Sequence, residues 1–521
     1  MSKNNYDQFN LPPTGPKLCD FYGQYIGFGG GGPTGVQLTS IAKSALFDSA
    51  NSEYLSITPS GAGNLRKWTL SLWAYRTDFG TGEFKLWSAI SSSNFDMVAF
   101  TGNELGIEIN TASSSTNSLR SNALFRDQGW YHIVVVWDSD NSTATNRIRA
   151  WVNGKRITSW RVSAFPGSAG VDSLTNSTVL HTLGAKANVS QYFDGYLAES
   201  VLINGSALEP TSFAEYDPTG TFWVPKSPAV IKALTFGSTG FYLDNATNAQ
   251  TDAGSEGNNF TNNNTVLTSS HTCTNMFNLF NSFDHTTGAN FVLSNGNQTA
   301  DADATNKWGT CTLPVKTGKW FAVATTTDAN SRRFGVVSNQ EGLYDLGSGA
   351  IPTDQSYGWA VGLSNNTTIA ARNSSTNITG TIQTIDRTED RYVVAIDCDN
   401  KKLWLGVYDQ SAGNIQYVDS GGTVRTTDVP ASGSNETYTL TGTSWRFFCE
   451  HGDTGSAQTI DFGQNSFNSA TVPTGFNTSL NTTAIAAATT RTKSDLSEYF
   501  ESIVYEGNGL GQTVGRHLPF T

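Results

Sequence analysis

Two glutamates on one predicted strand are the residues best placed to do chemistry. The segment Glu104–Glu108 alternates polar and apolar residues, so both carboxylates should lie on one face of a strand. Two carboxyl groups on one surface can act as the proton donor and the nucleophile or base of glycoside hydrolysis. Gly106 stands between them and adds no third acid to the pair. The missing acid favours a simpler interpretation, a solvated strand face.

Two loops carry the oxygen ligands that calcium prefers. Asp138, Asp140 and Asn141 follow one predicted strand, and Asp397–Asn400 follows another with a similar pattern. Alternate carboxylates in a loop can coordinate calcium, but the same residue types are common turn formers. We therefore expect no metal or other cofactor, with calcium at Asp138, Asp140 and Asn141 as the alternative.

Other catalytic motifs are missing from the sequence. The six histidines form no His-x-x-His or His-Glu-x-x-His pair, and neither a Gly-x-Ser-x-Gly elbow nor a Gly-x-x-x-x-Gly-Lys loop occurs. His132 lies beside a predicted strand and is interpreted as a core or interface side chain. Asp194 and Glu199 fall on opposite faces of their strand, which favours a structural role.

Two tryptophans are candidates for binding a glycan. Trp151 is out of phase with the apolar residues Ile148, Ala150 and Val152, so its ring should lie on the opposite face of the strand. Sugars stack on exposed aromatic rings, and Trp151 and Trp160 could supply them. Burial of these rings in an interface is the alternative, and the sequence supports it equally.

The elements that would position these residues are clearest in Trp130–Ile157. Ile133–Trp137 is a β-branched run typical of a strand packed on both sides, and Arg147–Val152 alternates. Asn153-Gly154 can adopt positive φ at both turn positions and so closes a tight hairpin. The pattern predicts an antiparallel meander, the unit from which β-sandwiches are built.

Composition indicates an all-β protein with many turns. The 521 residues include 51 glycines, and only 15% are charged. The net charge of −12, with no basic stripe, argues against nucleic acid as a partner. Neither a signal peptide nor a membrane-spanning run is expected. Five widely spaced cysteines favour buried thiols in a reducing cytoplasm over a disulfide framework.

The chain divides into five predicted segments. Residues 1–40 form an N-terminal arm, 41–215 a first sandwich, 216–270 an extended connector with one strand, 271–480 a second sandwich, and 481–521 a C-terminal strap. Arg391–Val407 repeats the pattern of Trp130–Ile157 in shorter form. Because the arm is too short to bury its own apolar residues, we expect it to anchor on a partner through Phe9, Leu11, Phe21, Tyr22, Tyr25 and Phe28. The alternative is a disordered tail.

These segments carry a resemblance to known folds. The first sandwich resembles the laminin-G/concanavalin-A-like lectin fold at Leu46–Leu55, Trp68–Tyr75, Trp130–Ile157 and Asp194–Leu208. The second is similar to a SPRY-type sandwich at Trp320–Thr325, Tyr392–Val407 and Ile460–Phe467. The resemblance implies an all-β chain of two concanavalin-A-like (jelly-roll) β-sandwiches in tandem, with an extended N-terminal arm and a short C-terminal strap. Glycanases of this fold carry Glu-x-Asp-x-Glu, which Gly106 interrupts here.

The order of the parts resembles virion and tail-fibre-like structural proteins of tailed bacteriophages. The segments that carry this likeness are Gly237–Asp244, Gly257–Thr261 and Tyr505–Gly509. It implies a non-enzymatic, homo-oligomeric virion protein, made in the host bacterial cytoplasm and anchored by its N-terminus to other tail or capsid proteins. It also implies contact with host-surface glycans. The alternatives are an envelope-polysaccharide depolymerase on the same fold and a decoration protein without a host ligand.

Overall fold

The computed structural model describes residues 39–111, 117–187, 190–218, 220, 222–286, 291–302, 304–326, 332–338, 351–374, 376–386, 391–426, 429–451 and 456–488. These residues cluster into two compact units, one of 39–277 with 293–298 and one of 278–292 with 299–488. The proposed strap lies outside the described residues from 489 onward, and so do the anchoring residues Phe9, Leu11, Phe21, Tyr22, Tyr25 and Phe28.

The first unit contains two antiparallel sheets. Its strands are β1 (Ser44–Phe47), β2 (Tyr54–Ile57), β3 (Lys67–Arg76), β4 (Glu83–Ser91), β5 (Asn94–Thr101), β6 (Glu104–Thr111), β7 (Ser118–Leu124), β8 (Trp130–Asp138), β9 (Ile148–Val152), β10 (Lys155–Arg156), β11 (Trp160–Ala164), β12 (Leu180–Leu183), β13 (Gly195–Asn204), β14 (Ala214–Tyr216), β15 (Trp223–Pro225), β16 (Phe241–Leu243), β17 (Thr261–Asn263) and β18 (Leu267–Ser269). Sheet A has the order β10-β9-β8-β3-β13-β1-β18, with β16 also paired to β13. Sheet B has the order β11-β7-β6-β5-β4-β12-β2-β17.

Strand alternation builds the core between sheets A and B. On β3, every second residue joins this core, as the sequence predicted, with Trp68, Leu70, Leu72 and Ala74 all 0% exposed. Ile133, Val135 and Trp137 of β8 and Ile148, Ala150 and Val152 of β9 join the same cluster. Each strand therefore contributes a continuous apolar row to one core.

The predicted hairpin after β8 is confirmed. β8 pairs with β9 from Ile133 opposite Val152 to Trp137 opposite Ile148. Asn153 and Gly154 have φ values of 49° and 74°, as a type I′ turn requires, and β10 returns beside β9.

Residues 216–270, which were expected to form an extended connector with one strand, are instead part of the first unit. This segment supplies β16, β17 and β18, which pair with β13, β2 and β1. It also supplies β15, which pairs with β14, and the short helix α1 (Pro228–Lys232). Phe213, Ile231, Phe236 and Tyr242 pack with Val134 and Val136 on the side of sheet A away from the core. The segment therefore completes the first unit, because both faces of β8 are apolar and need cover.

The second unit is also built from two antiparallel sheets. Its strands are β19 (Phe280–His285), β20 (Phe291–Ser294), β21 (Thr299–Ala302), β22 (Lys307–Cys311), β23 (Lys319–Thr326), β24 (Arg332–Ser338), β25 (Gly358–Asn365), β26 (Thr368–Asn373), β27 (Thr376–Thr381), β28 (Arg391–Asp397), β29 (Lys402–Asp409), β30 (Asn414–Val418), β31 (Val424–Arg425), β32 (Tyr438–Thr439), β33 (Trp445–His451) and β34 (Ser456–Asp461). Sheet C has the order β19-β22-β33-β24-β25-β26-β27. Sheet D has the order β20-β21-β34-β23-β28-β29-β30-β31, with β32 also paired to β29.

The repeated pattern at Arg391–Val407 forms the β28–β29 pair at the centre of sheet D, as predicted. One face of this sheet is covered by the segment after β34, where Phe467 meets Phe321 and Phe476 meets Trp404 at ring distances of 5.1 and 6.2 Å. The remaining helices are α2 (Val429–Ser432) and α3 (Thr482–Ala488).

Two sequence expectations concern the chain as a whole. The four cysteines within the described ranges, Cys273, Cys311, Cys398 and Cys449, are buried free thiols, as expected. Among the described helices, none is long and apolar enough to cross a membrane.

The hairpin turn gives a test of this packing. A Cβ at Gly154 would lie 2.7 Å from the Trp223 ring, in addition to the strain of positive φ. We expect Gly154→Ala to lower the free energy of unfolding by about 2–4 kcal/mol, measured by urea denaturation. Gly205→Ala is the matched control, because Gly205 also has positive φ (87°) but nothing lies within 4 Å of its Cβ position. Gly205→Ala should lower the free energy of unfolding by only about 1 kcal/mol. An equal decrease for Gly154→Ala and Gly205→Ala would contradict the predicted clash.

Candidate functional site

The glutamates of β6 lie on one face of sheet B, as the alternation predicted. Leu105 and Ile107 point into the core, whereas Glu104 and Glu108 point away from it. Both carboxylate oxygens of Glu104 accept from Arg161, at 2.5 and 2.6 Å. Arg120 donates to Glu108 at 2.9 Å. Each carboxylate is therefore committed to an arginine of the same chain.

The Glu108 pair extends into a buried charge network. Arg120 also contacts Glu83 at 3.4 Å, and Glu83 accepts from Lys85 at 2.7 Å. The Lys85 side chain is only 1% exposed, and burial lowers its pKa. Burial alone would raise the pKa of Glu83, but Lys85 and Arg120 bring it below its usual value. The two acids and two bases neutralise one another across β4, β6 and β7, which supports a structural role for this face.

Trp151 is buried, which corrects its prediction as a glycan platform. It does lie on the face opposite Ile148, Ala150 and Val152, but its side chain is only 5% exposed. It belongs to the cluster that contains Val134, Phe213 and Ile231. The segment after β13 covers this face, so the ring has no free surface for a sugar. Trp160 is half-buried against the core of the first unit, and its glycan role stays a prediction.

The predicted calcium ligands have partners within the chain. Asp138 lies 3.4 Å from Lys67 and 4.0 Å from Arg149. Asn141 donates to Asp138 at 3.4 Å, and Asp140 lies 3.9 Å from Arg66. Calcium takes six to eight oxygen ligands, and these donors instead face cations, so they fit it poorly.

The second Asp-rich loop behaves similarly. Asp397 lies 3.3 Å from Lys319 and accepts from the Asn400 side chain at 2.8 Å. Within the described residues, no group of three or more His, Cys, Asp or Glu side chains is arranged to hold a metal ion.

His132 is a core side chain, as predicted. Its ring lies between Trp73 and Trp223, at centroid distances of 4.8 and 6.1 Å. Nδ1 accepts from the Trp223 indole at 3.0 Å, and Nε2 lies 2.9 Å from the Ser71 hydroxyl. Burial lowers the pKa of His132 to about 3, so the imidazole is neutral at physiological pH.

Packing within the first unit half-buries Asp194 and fully buries Glu199. Asp194 accepts from Ser49 and Thr77 at 2.7 and 3.1 Å, and burial raises its pKa to about 6. Glu199 accepts from the Tyr242 hydroxyl at 2.5 Å, and burial raises its pKa to about 8. These contacts hold strands and loops together, which supports the structural role expected of both.

A cavity of about 210 Å³ lies in the second unit, at residues the sequence reasoning missed. Tyr408 and Tyr417, from β29 and β30, form part of its wall together with Pro473 from the segment covering sheet D. Gly406 lies opposite Tyr417, and a Cβ there would be 2.9 Å from the tyrosine ring. That glycine in an otherwise apolar strand was the only local signal.

The polar part of this cavity is as distinctive as its rings. Thr426, Thr471 and Thr474 supply hydroxyl groups to the lining. Asn414 lines it too, and its buried Oδ1 accepts no hydrogen bond from a described residue. Buried amide oxygens normally have a hydrogen-bond partner, so this unpartnered oxygen is unusual.

Comparisons with known proteins agree with the fold. Residues 49–212 match a laminin-G-type model of the concanavalin A-like lectin/glucanases superfamily. A search of curated proteins found no match. With the sheets of both units, the superfamily match confirms the all-β, concanavalin-A-like sandwich fold predicted from the sequence.

Solved structures with similar stretches include SPRY domains. The SPRY domain of human HERC1 aligns with a TM-score of 0.24 at 10% identity, covering 35% of this chain and 96% of that chain. The TRIM65 PSpry domain aligns with a TM-score of 0.25 at 11% identity, covering 36% of this chain and 92% of that chain. A SAP-like pentraxin from Limulus polyphemus aligns with a TM-score of 0.27 at 13% identity, covering 44% of this chain and 96% of that chain.

The buried Glu199 predicts a pH dependence of stability. The folded chain keeps this proton up to about pH 8, whereas the unfolded chain releases it near pH 4.5. Its stabilising contribution is therefore full below pH 4.5 and is lost as the pH rises towards 8. Relative to wild type, Glu199→Gln should gain stability on the order of 4 kcal/mol between pH 5 and pH 8, measured by urea unfolding.

An exposed glutamate gives the control for this experiment. Glu256→Gln, in the same unit, should leave the pH dependence of wild type unchanged. If Glu199→Gln follows the wild-type curve at every pH, Glu199 does not carry the shifted titration.

Proposed function

We propose that this chain is a non-enzymatic glycan-binding protein of a bacteriophage particle, and that the cavity beside Tyr408 and Tyr417 holds one sugar residue. The observation that carries the proposal is the composition of that cavity. It combines apolar surface from Tyr408, Tyr417 and Pro473 with threonine hydroxyls and the unpartnered oxygen of Asn414.

This composition suits a single sugar ring. A pyranose has apolar C–H faces that pack on aromatic rings and hydroxyl groups that need hydrogen-bond partners. The volume of about 210 Å³ is below the roughly 300 Å³ at which sites for drug-sized ligands begin. One residue of a longer glycan would fit, which implies weak binding by a single copy.

Binding is favoured over hydrolysis by the state of the β6 glutamates. A glycoside hydrolase needs one carboxyl group to hold a proton for the leaving group and a second to act as base or nucleophile. Glu104 and Glu108 are each engaged by an arginine, and Gly106 provides no third acid between them.

The particle setting follows from the resemblance in domain order. In this setting the chain is made in the host bacterial cytoplasm, anchored by residues 1–40 to tail or capsid proteins, and displayed as a homo-oligomer. Many copies of a weak sugar site would then bind a host surface by avidity.

The sugar cavity is tested by removing its unpartnered oxygen. A glycan array first identifies the ligand that wild type binds best, and calorimetry then measures its affinity. Asn414→Ala should weaken this affinity about tenfold, the equivalent of one hydrogen bond. Its thermal midpoint should not fall, because the oxygen has no partner to lose. The exposed Asn366→Ala, in the same unit, should bind like wild type. Equal affinity of Asn414→Ala and wild type would rule out this cavity.

The enzymatic alternative has its own test. Incubation of the purified chain with host envelope polysaccharide should release no reducing sugar. Release that is lost in Glu104→Gln or Glu108→Gln would identify a depolymerase instead.

The assignment to a bacteriophage particle is tested by the protein composition of purified particles. Mass spectrometry of purified particles should detect this polypeptide, and deletion of residues 1–40 should abolish its incorporation while both sandwiches still fold by circular dichroism. A truncated chain that still assembles would remove the anchoring role of the arm, and absence of the full chain from particles would remove the particle assignment.

A further inference from the structure

A second cavity, of about 270 Å³, lies on sheet C and is lined by three arginines. The strand register explains why space exists there. Arg333 lies opposite Gly362, Gly362 opposite Ala370, and Ala370 opposite Thr379, so one row across four strands has small residues at its centre. In the next row, Arg372 lies opposite Asn377.

The small residues are needed for this shape. A Cβ at Gly362 would lie 2.7 Å from the Arg332 carbonyl oxygen and 3.0 Å from Cγ of Arg333. The glycine therefore lets the arginine-bearing strand β24 approach closely, and with Ala370 it leaves a trough between Arg333 and Arg372.

The arginines differ in how they are held. Arg333 is bonded to Glu450, a fully buried carboxylate that also accepts from the Thr353 amide and hydroxyl at 3.1 and 2.8 Å. Arg332 is fully buried. Arg372 is half-buried, and its guanidinium makes no hydrogen bond or ion pair with any residue that the structure describes.

The lining has a strong charge imbalance. Its nine described residues include Arg332, Arg333 and Arg372 and no carboxylate, in a chain whose net charge is −12. Arg333 is already paired with Glu450, whereas the half-buried Arg372 has no counter-charge among the described residues, and an anion that enters the cavity would supply one. Asn377 and Thr379 add neutral hydrogen-bond donors at the same place.

We propose that this cavity is a binding site for an oxyanion group of a polysaccharide, either the carboxylate of a uronic acid or a phosphate. Both groups match the planar fork of a guanidinium, which can donate two parallel hydrogen bonds. Arg372 supplies the free fork, and Arg333, fixed in place by Glu450, supplies a second positive charge. The polysaccharide part rests on the proposed function, whereas the oxyanion part does not.

The experiment measures binding to the full chain by calorimetry at low salt. Three probes are compared: a hexamer of galacturonic acid, its neutral methyl-esterified form, and inorganic phosphate. Wild type should bind the acidic hexamer and not the ester. Arg372→Gln should weaken that binding at least tenfold at an unchanged thermal midpoint. Arg372→Lys keeps the charge without the planar fork, so its affinity for the acidic hexamer should lie between those of wild type and Arg372→Gln.

Lys307→Gln is the matched control, because it removes one half-buried cation from the same sheet outside the cavity. It should bind like wild type. Binding of phosphate but not the acidic hexamer, lost in Arg372→Gln, supports the site with phosphate as its ligand. Binding of neither probe, or equal binding by wild type and Arg372→Gln, overturns it.

The proposals for the two cavities can be rejected independently of each other. Asn414→Ala should leave binding of the acidic hexamer unchanged, because Asn414 does not line this cavity. If no neutral sugar binds while the acidic hexamer does, the Tyr408 cavity is rejected and the arginine cavity stands.

Discussion

The apolar character of sheet A on both faces is the constraint on which the first unit depends. On β8, Ile133, Val135 and Trp137 face the core between the sheets, and Val134 and Val136 face the other way. A sheet exposed on that second side would leave a large apolar surface in water, at roughly 25 cal/mol for each Å². The chain must therefore cover it, and the segment after β13 does so.

This cover explains where a ligand site cannot be. Trp151, the most prominent aromatic candidate, is used as an anchor for the covering segment, and the ring of Trp223 packs against Gly154 at the adjacent hairpin. The outer face of sheet B is polar, but its charges are paired with each other. The first unit thus uses Trp151 and the charged residues of β4, β6 and β7 for its own stability, whereas Trp160 stays partly exposed.

The second unit contains both cavities described above. A glycine allows a close approach near each of them: Gly406 lets Tyr417 cross β29, and Gly362 lets β24 approach β25. Each cavity holds a polar group without a described partner, Asn414 in one and Arg372 in the other. Native proteins seldom leave a buried oxygen such as that of Asn414 unpaired, whereas the half-buried Arg372 also reaches solvent. Both proposed binding sites therefore lie in this unit.

The sequence by itself determined the long alternating strands such as β3, β6 and β9, their faces, the Asn153-Gly154 hairpin and the sandwich fold class, but not the short strands β15, β17 and β18. These features depend on periodicity and on turn residues, which act over a few positions. Only the tertiary structure decided that Trp151 is covered, that Glu104 pairs with Arg161, and that Tyr408 and Pro473 share a cavity wall. Each of these depends on residues far apart in the chain. Alternation tells which residues share a face of a strand, but what covers that face is set by the packing of distant segments.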